Sequence, residues 1–380
     1  DGSTLAVSAN GEDSAAIGVG GDQASNTAVD AGAVYVFQRV DQAWSQQAYI
    51  KASNTGAGDN FGTRLALSSD GDTLAVTAHL EDSAAVGIGG DQANNSASSA
   101  GAAYVFKRTG GAWAQQAYIK ASNADALDQF GFGVSLSGDG TRLAVSANQE
   151  DSVATGIDGD QASNAAANAG AVYLFGWANQ VWSQQAYVKG SNTEAGDMFG
   201  RSVAFSADGN TLVVGADGED SVATGIDGDQ NSNALGFSGA AYVYVWAKDA
   251  WSQQAYVKAS NSAFFYGTSV ALSADGDALV VGSVQELSGA IGIGGNQLNS
   301  AASAAGSAYF YERAQGVWSQ RAYVKSSNTG SGDNFGNAVG LSANGEVLVV
   351  GAPGEDSAAL GLGGDQADNA AANAGAAYLY

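Results

Sequence analysis

Apolar and polar positions alternate in short runs that return at a fixed interval. Residues 63–68 read TRLALS and residues 73–78 read TLAVTA, the alternation of strands with one buried face. Between them Ser69-Asp70-Gly71 is a hairpin signal, because Asp and Gly tolerate positive φ. A Gly-, Ala- and Asn-rich connection runs over about 79–100 and leads to a third run, 101–107 (GAAYVFK). The turn Thr109-Gly110-Gly111 gives way to a fourth, 113–120 (WAQQAYIK). These runs are strands a, b, c and d of one unit, and a d–a loop over 121–129 carries the chain to the next.

The unit recurs throughout. Its turn stands at Asp1-Gly2, Asp70-Gly71, Asp139-Gly140, Asp208-Gly209, Asp275-Gly276 and Asn344-Gly345, in steps of 69, 69, 69, 67 and 69 residues. Trp44, Trp113, Trp182, Trp251 and Trp318 keep the same beat. Four short antiparallel strands per repeat predict an all-β fold, a β-propeller of four-stranded blades, over a β-solenoid. Strand a appears five times, b six, c six and d five, which makes 22. Six blades fit best, the first lacking its strand a and the last its strand d. A truncated seven-bladed ring and a strand borrowed from another chain are the alternatives. One domain over 1–380 is expected.

Phe-Gly before strand a, Gly-Ala-Pro at the end of strand b and Gly-Ala-x-Tyr in strand c resemble the FG-GAP repeat of integrin α-subunit propellers, in its bacterial branch. The sixth copy has it literally, as Phe335-Gly336 and Gly351-Ala352-Pro353. The resemblance implies a propeller with strand a innermost and strand d at the rim. It implies little about activity. Integrin repeats often carry a calcium loop between strands a and b, where this chain has only a tight turn, so those ligands do not transfer.

Composition narrows the partners. Formal net charge is −24, from 38 acidic against 14 basic residues, which disfavours nucleic acid. There is no Cys, hence no disulfide or thiolate site. No apolar run is long enough to span a bilayer. The chain starts at Asp1 and its one Met is Met198, so it reads as a processed or partial chain in which a removed signal would be invisible.

The acid concentrates in the d–a and b–c loops. Four sets recur: Asp59, Asp82 and Asp91; Asp128, Asp151 and Asp160; Asp197, Asp220 and Asp229; Asp333, Asp356 and Asp365. In the fifth copy the three positions become Phe264, Leu287 and Asn296 together, while Glu286 stays. Joint loss suggests one shared site per blade, and hard oxygen ligands suggest Ca²⁺. The alternative is that each Asp caps loop backbone.

Other signals are weaker. His79 is the one histidine, and its counterparts Asn10, Asn148, Asp217, Val284 and Pro353 make it an exposed variant. The Trp that opens strand d reads as rim packing. Trp177 and Trp246 replace Arg39, Arg108 and Arg313 of other copies and are candidate exposed ligand platforms. Gln46, Gln47 and Lys51 and their copies read as protection of an outer edge. The expected function is a non-catalytic adhesion or structural module, extracellular or at the cell surface, with a carbohydrate-binding lectin as the alternative. Expected partners are a surface protein or glycan, or a second copy through the incomplete end blades.

Overall fold

A computed structural model describes residues 2–380. The first blade is β1 (Thr4–Ala9), β2 (Ala33–Val40) and β3 (Ala43–Ile50). The second is β4 (Leu65–Leu67), β5 (Thr73–Ala78), β6 (Ala102–Thr109) and β7 (Ala112–Ile119). The third is β8 (Val134–Leu136), β9 (Arg142–Ala147), β10 (Ala171–Ala178) and β11 (Val181–Val188). The fourth is β12 (Ser202–Phe205), β13 (Thr211–Ala216), β14 (Ala240–Ala247) and β15 (Ala250–Val257). The fifth is β16 (Tyr266–Leu272), β17 (Ala278–Ser283), β18 (Ser307–Ala314) and β19 (Val317–Val324). The sixth is β20 (Ala338–Leu341), β21 (Leu348–Ala352) and β22 (Ala376–Leu379). The fold is thus an all-β propeller of six antiparallel blades, with three strands in each end blade, as the sequence predicts. Among the described residues no helix is long and apolar enough to cross a membrane.

The chain divides into two compact units, Asp1–Ala195 and Gly196–Tyr380. In the first unit β4 touches β8, and in the second β16 touches both β12 and β20, so strands a of neighbouring blades meet. Val76 and Ala103 are fully buried, as are Phe61, Phe130 and Phe335. The Phe61 ring packs edge-on against Tyr104 and Phe106 of its own blade. The fifth blade has Tyr266 instead, whose hydroxyl donates to that of Tyr311 at 2.8 Å.

Local chemistry sets the turns and the seams. Asp70 Oδ1 accepts the Asp72 N–H at 2.9 Å, and Gly71 supplies φ +71°. The glycine of Gly-Ala-x-Tyr has a different task. Gly101 takes φ +80°, and a Cβ there would stand 2.0 Å from the carbonyl oxygen of Phe130 in the next blade. Gly306 does the same against Phe335 in the second unit. Phe-Gly and Gly-Ala are therefore two halves of one seam between blades.

Candidate functional site

The acid loops come first, since the sequence points there. In the second blade the three carboxylates face three different backbones. Asp59 Oδ2 accepts the Gly56 N–H at 2.8 Å, Asp82 Oδ1 that of Ser99 at 2.8 Å, and Asp91 Oδ1 that of Ala93 at 3.0 Å. In the third, Asp128, Asp151 and Asp160 hold Asp125, Asn168 and Ala162 in the same way. In the fourth, Asp220 holds Phe237 and Asp229 holds Asn231, while Asp197 is buried. In the sixth, Asp333, Asp356 and Asp365 hold Gly330, Asn373 and Ala367. Ser99, Asn168, Phe237 and Asn373 all have positive φ, so these Asp side chains pin strained loop residues. In the fifth blade Asn296 makes the Asp91 bond without the charge, to Leu298 N–H at 3.0 Å. Among the described residues no three His, Cys, Asp or Glu side chains come together to hold a metal ion. Burial raises Asp59 and Asp128 to about 7, against the N–H bonds of Gly56 and Asp125.

A second carboxylate system lies beneath, and the sequence reading missed it. Glu81 Oε2 takes the Lys120 ammonium at 2.7 Å, and its Oε1 accepts from Tyr118 at 2.9 Å and from Asn54 at 2.7 Å. Both Lys120 and Glu81 are buried. Glu12–Lys51, Glu150–Lys189, Glu219–Lys258 and Glu286–Lys325 repeat the pair at 2.5–2.9 Å. Lys51 is fully buried, so its reading as edge protection is wrong: a lone ammonium would not be buried, but a paired one is. Gln47 is also not edge protection. Its Oε1 accepts the indole N–H of Trp113 in the next blade at 2.9 Å. The signal was present, since Glu and Lys recur 39 residues apart in five copies, the fifth included.

Trp177 and Trp246 are half-buried, not exposed platforms. Each packs on the opening Trp of its own strand d, Trp182 or Trp251, with centroids 5.6 Å apart. They occupy the place of Arg108 and Arg313, which lie over Trp113 and Trp318.

The repeat breaks where a catalytic group could stand. The residue after Phe-Gly, or after Tyr266-Gly267 in the fifth blade, is Thr63, Phe132, Arg201, Thr268 or Asn337, and the residue after strand b also varies. In the first unit Thr63 Oγ1 meets His79 Nδ1 at 2.9 Å, and His79 is half-buried against the Phe132 ring. Burial, aided by Arg64, keeps the imidazole below its ordinary pKa. In the second unit Asp217 directly follows β13, with its carboxylate buried. Arg201 Nε donates to its Oδ2 at 3.0 Å, and Thr268 Oγ1 approaches the same oxygen at 3.5 Å. Asp217 Oδ1 is buried and has no hydrogen-bond partner. Burial raises the pKa of Asp217 and Arg201 opposes the rise. A buried carboxylate with one oxygen tied down and the other unengaged is the local chemistry of a general base.

A family model described as the FG-GAP repeat matches residues 44–106, 113–175, 182–244 and 318–380, more than half of the chain. The fifth blade, with its shortened loop, lies largely outside those matches. No relative is found among curated proteins. Solved structures similar to the chain include a periplasmic gluconolactonase of Pseudomonas aeruginosa, 18% identical, with TM-score 0.47 over 86% of this chain and 73% of that one. They also include a putative 6-phosphogluconolactonase of Bacteroides uniformis, 14% identical, with TM-score 0.42 over 92% and 89%. Both titles name enzymes, and the expectation of a non-catalytic adhesion or structural module, with its lectin alternative, is withdrawn on that finding. Blades that run from one strand d through the next strand c, in the four matched segments and in the strand order alike, make this chain a member of the FG-GAP repeat family.

Proposed function

We propose that the chain is a hydrolase whose acid–base group is Asp217, acting on a small carboxylic ester, open or cyclic. The observation that supports this reading is the state of that carboxylate. Oδ2 is held by Arg201 at 3.0 Å, Oδ1 is unpartnered in a buried setting, and the other five copies carry Asn, His, Asn, Val and Pro there. A group kept only for architecture would repeat, as Glu81 and Lys120 do.

The step is simple. Water attacks the ester carbonyl carbon while Asp217 Oδ1 takes its proton. The C–O bond then breaks, and the carboxyl group of Asp217 returns that proton to the leaving oxygen. Arg201 fixes the carboxylate and places positive charge beside the oxyanion that forms. Assay of the purified chain against short-chain esters and lactones tests this. Asp217→Asn should lower kcat by about 10²–10⁴-fold while the fold, followed by melting, stays intact. Ester hydrolysis no faster than buffer alone, or equal rates for the parent and Asp217→Asn, would sink the proposal.

A further inference from the structure

The fifth copy departs from the others in a concerted way. Phe264, Leu287 and Asn296 stand where other blades have Asp, and Leu298 stands where they have Ala or Asn. Three carboxylates go and three large apolar side chains arrive within one pair of loops. Those loops do not close over the change. Phe264, Leu287 and Leu298 line a cavity of about 230 Å³, with Asn261, Glu286 and Ser288 among its other walls. Leu298 is 87% exposed.

The polar groups of the cavity are already engaged. Glu286 Oε2 takes the Lys325 ammonium at 2.9 Å, and its Oε1 accepts from the Asn261 amide at 2.9 Å. Asn261 Oδ1 accepts from the Tyr309 hydroxyl, and Ser288 Oγ donates to the Asn296 carbonyl at 2.8 Å. Charge is balanced, so an ionic guest finds no partner and loses its water uncompensated. The apolar walls favour an uncharged guest. An apolar cavity of about 150 Å³ takes up benzene, so this one has room for a six-membered ring with a short substituent.

The next residue along the chain leads to Asp217. The Phe265 carbonyl accepts from Thr268 Oγ1 at 2.7 Å, the hydroxyl that approaches Asp217 Oδ2. Phe265 N–H donates to the Phe237 carbonyl at 2.7 Å, and the two rings stack with centroids 5.4 Å apart. Both residues have positive φ, a costly backbone for a bulky side chain. Ser99 and Asn168 take the place of Phe237 in other blades, and Asn60 and Gln129 that of Phe265, so the loops fold without a ring at either position. Phe237 is 49% exposed. Strained aromatic residues presented beside a candidate catalytic carboxylate point to a ligand.

We propose that the fifth blade binds an uncharged aromatic ring, held by Phe264, Leu287 and Leu298 with the Phe237–Phe265 stack beside it, and that the ester attacked at Asp217 carries that ring. The second clause rests on the hydrolase reading; the ring site is measurable without it.

The test uses the whole chain with three probes. Acetanilide, an uncharged aryl amide, reports on the ring site by calorimetric titration, and phenyl acetate and methyl acetate report on the reaction. Acetanilide should bind one-to-one to the parent and to Asp217→Asn alike. Leu287→Asp restores the residue of the other copies and should weaken binding at least about tenfold, because it sets a carboxylate in the apolar wall. Leu298→Ala, at an exposed position, should weaken it about threefold to tenfold. The ratio of kcat/KM for phenyl acetate to that for methyl acetate should fall by a similar factor in each variant. No binding of acetanilide, or binding that either variant leaves unchanged, would overturn the ring site even if esters are hydrolysed. Binding with the expected variant pattern but no hydrolysis would uphold the ring site and overturn the Asp217 reading alone.

Discussion

Asp59 is where one residue makes the fold sensitive to pH. Its pKa stands at about 7, raised by burial from an ordinary 3.8. The folded state therefore holds the proton at pH values where the unfolded chain has lost it. This contribution to stability is complete below about pH 4 and disappears as pH rises through about 7. Asp59→Asn keeps an acceptor for the Gly56 N–H without the ionisation. Melting temperatures taken at pH 5 and pH 8 should differ less in the variant than in the parent, with the variant the more stable at pH 8. An unchanged difference would mean that Asp59 is not the titrating group. The sequence made Asp59 visible only as an acid before Phe61. Its burial depends on the loop folding over it, which composition does not reveal.

At the scale of elements, strand d is tied to its own b–c loop by the Glu–Lys pair. Lys120→Met leaves Glu81 buried and unpaired, at a cost of roughly 3–5 kcal/mol. Adding Glu81→Gln should restore much of that, because no charge is then stranded. Denaturant titration of the single and double variants checks it, and equal stability of the two would show that the Glu81 charge is not what the lysine serves. The strands themselves were legible, since alternation and the Asp-Gly turn act within a few residues. The pair was not, because 39 residues and a loop without periodicity separate its halves. Asp217 was legible only as a departure from the repeat. Its neighbour Arg201 comes into range because β12 and β13 pair through Ser202 and Gly215.

For the molecule as a whole, a charge of −24 on 380 residues opposes compaction. Raising sodium chloride from about 0.01 M to about 0.15 M should raise the melting temperature, since it shortens the screening length from about 30 Å to about 8 Å. If the loop carboxylates act as backbone caps, calcium at matched ionic strength should add nothing beyond sodium. A calcium-specific rise in a melting scan would place a cation on those loops. The number of blades was readable from strand counting alone, because each repeat supplies one b and one c.

The seam formed by Gly101 and Phe130 also bears on how such a chain could lengthen or shorten. Each repeat presents a flat glycine socket at one side and a Phe backbone at the other, and the link from Gln47 to Trp113 adds a matching pair at the rim. The second and fifth blades each carry both genders of the same joint, as Phe61 with Gly101 and Tyr266 with Gly306. A tandem duplication or deletion of one whole unit leaves no unmatched joint behind, whereas a break inside a unit leaves two. The fifth copy, with Tyr266 still seated against Gly239, shows how far side chains can diverge once the joint is kept.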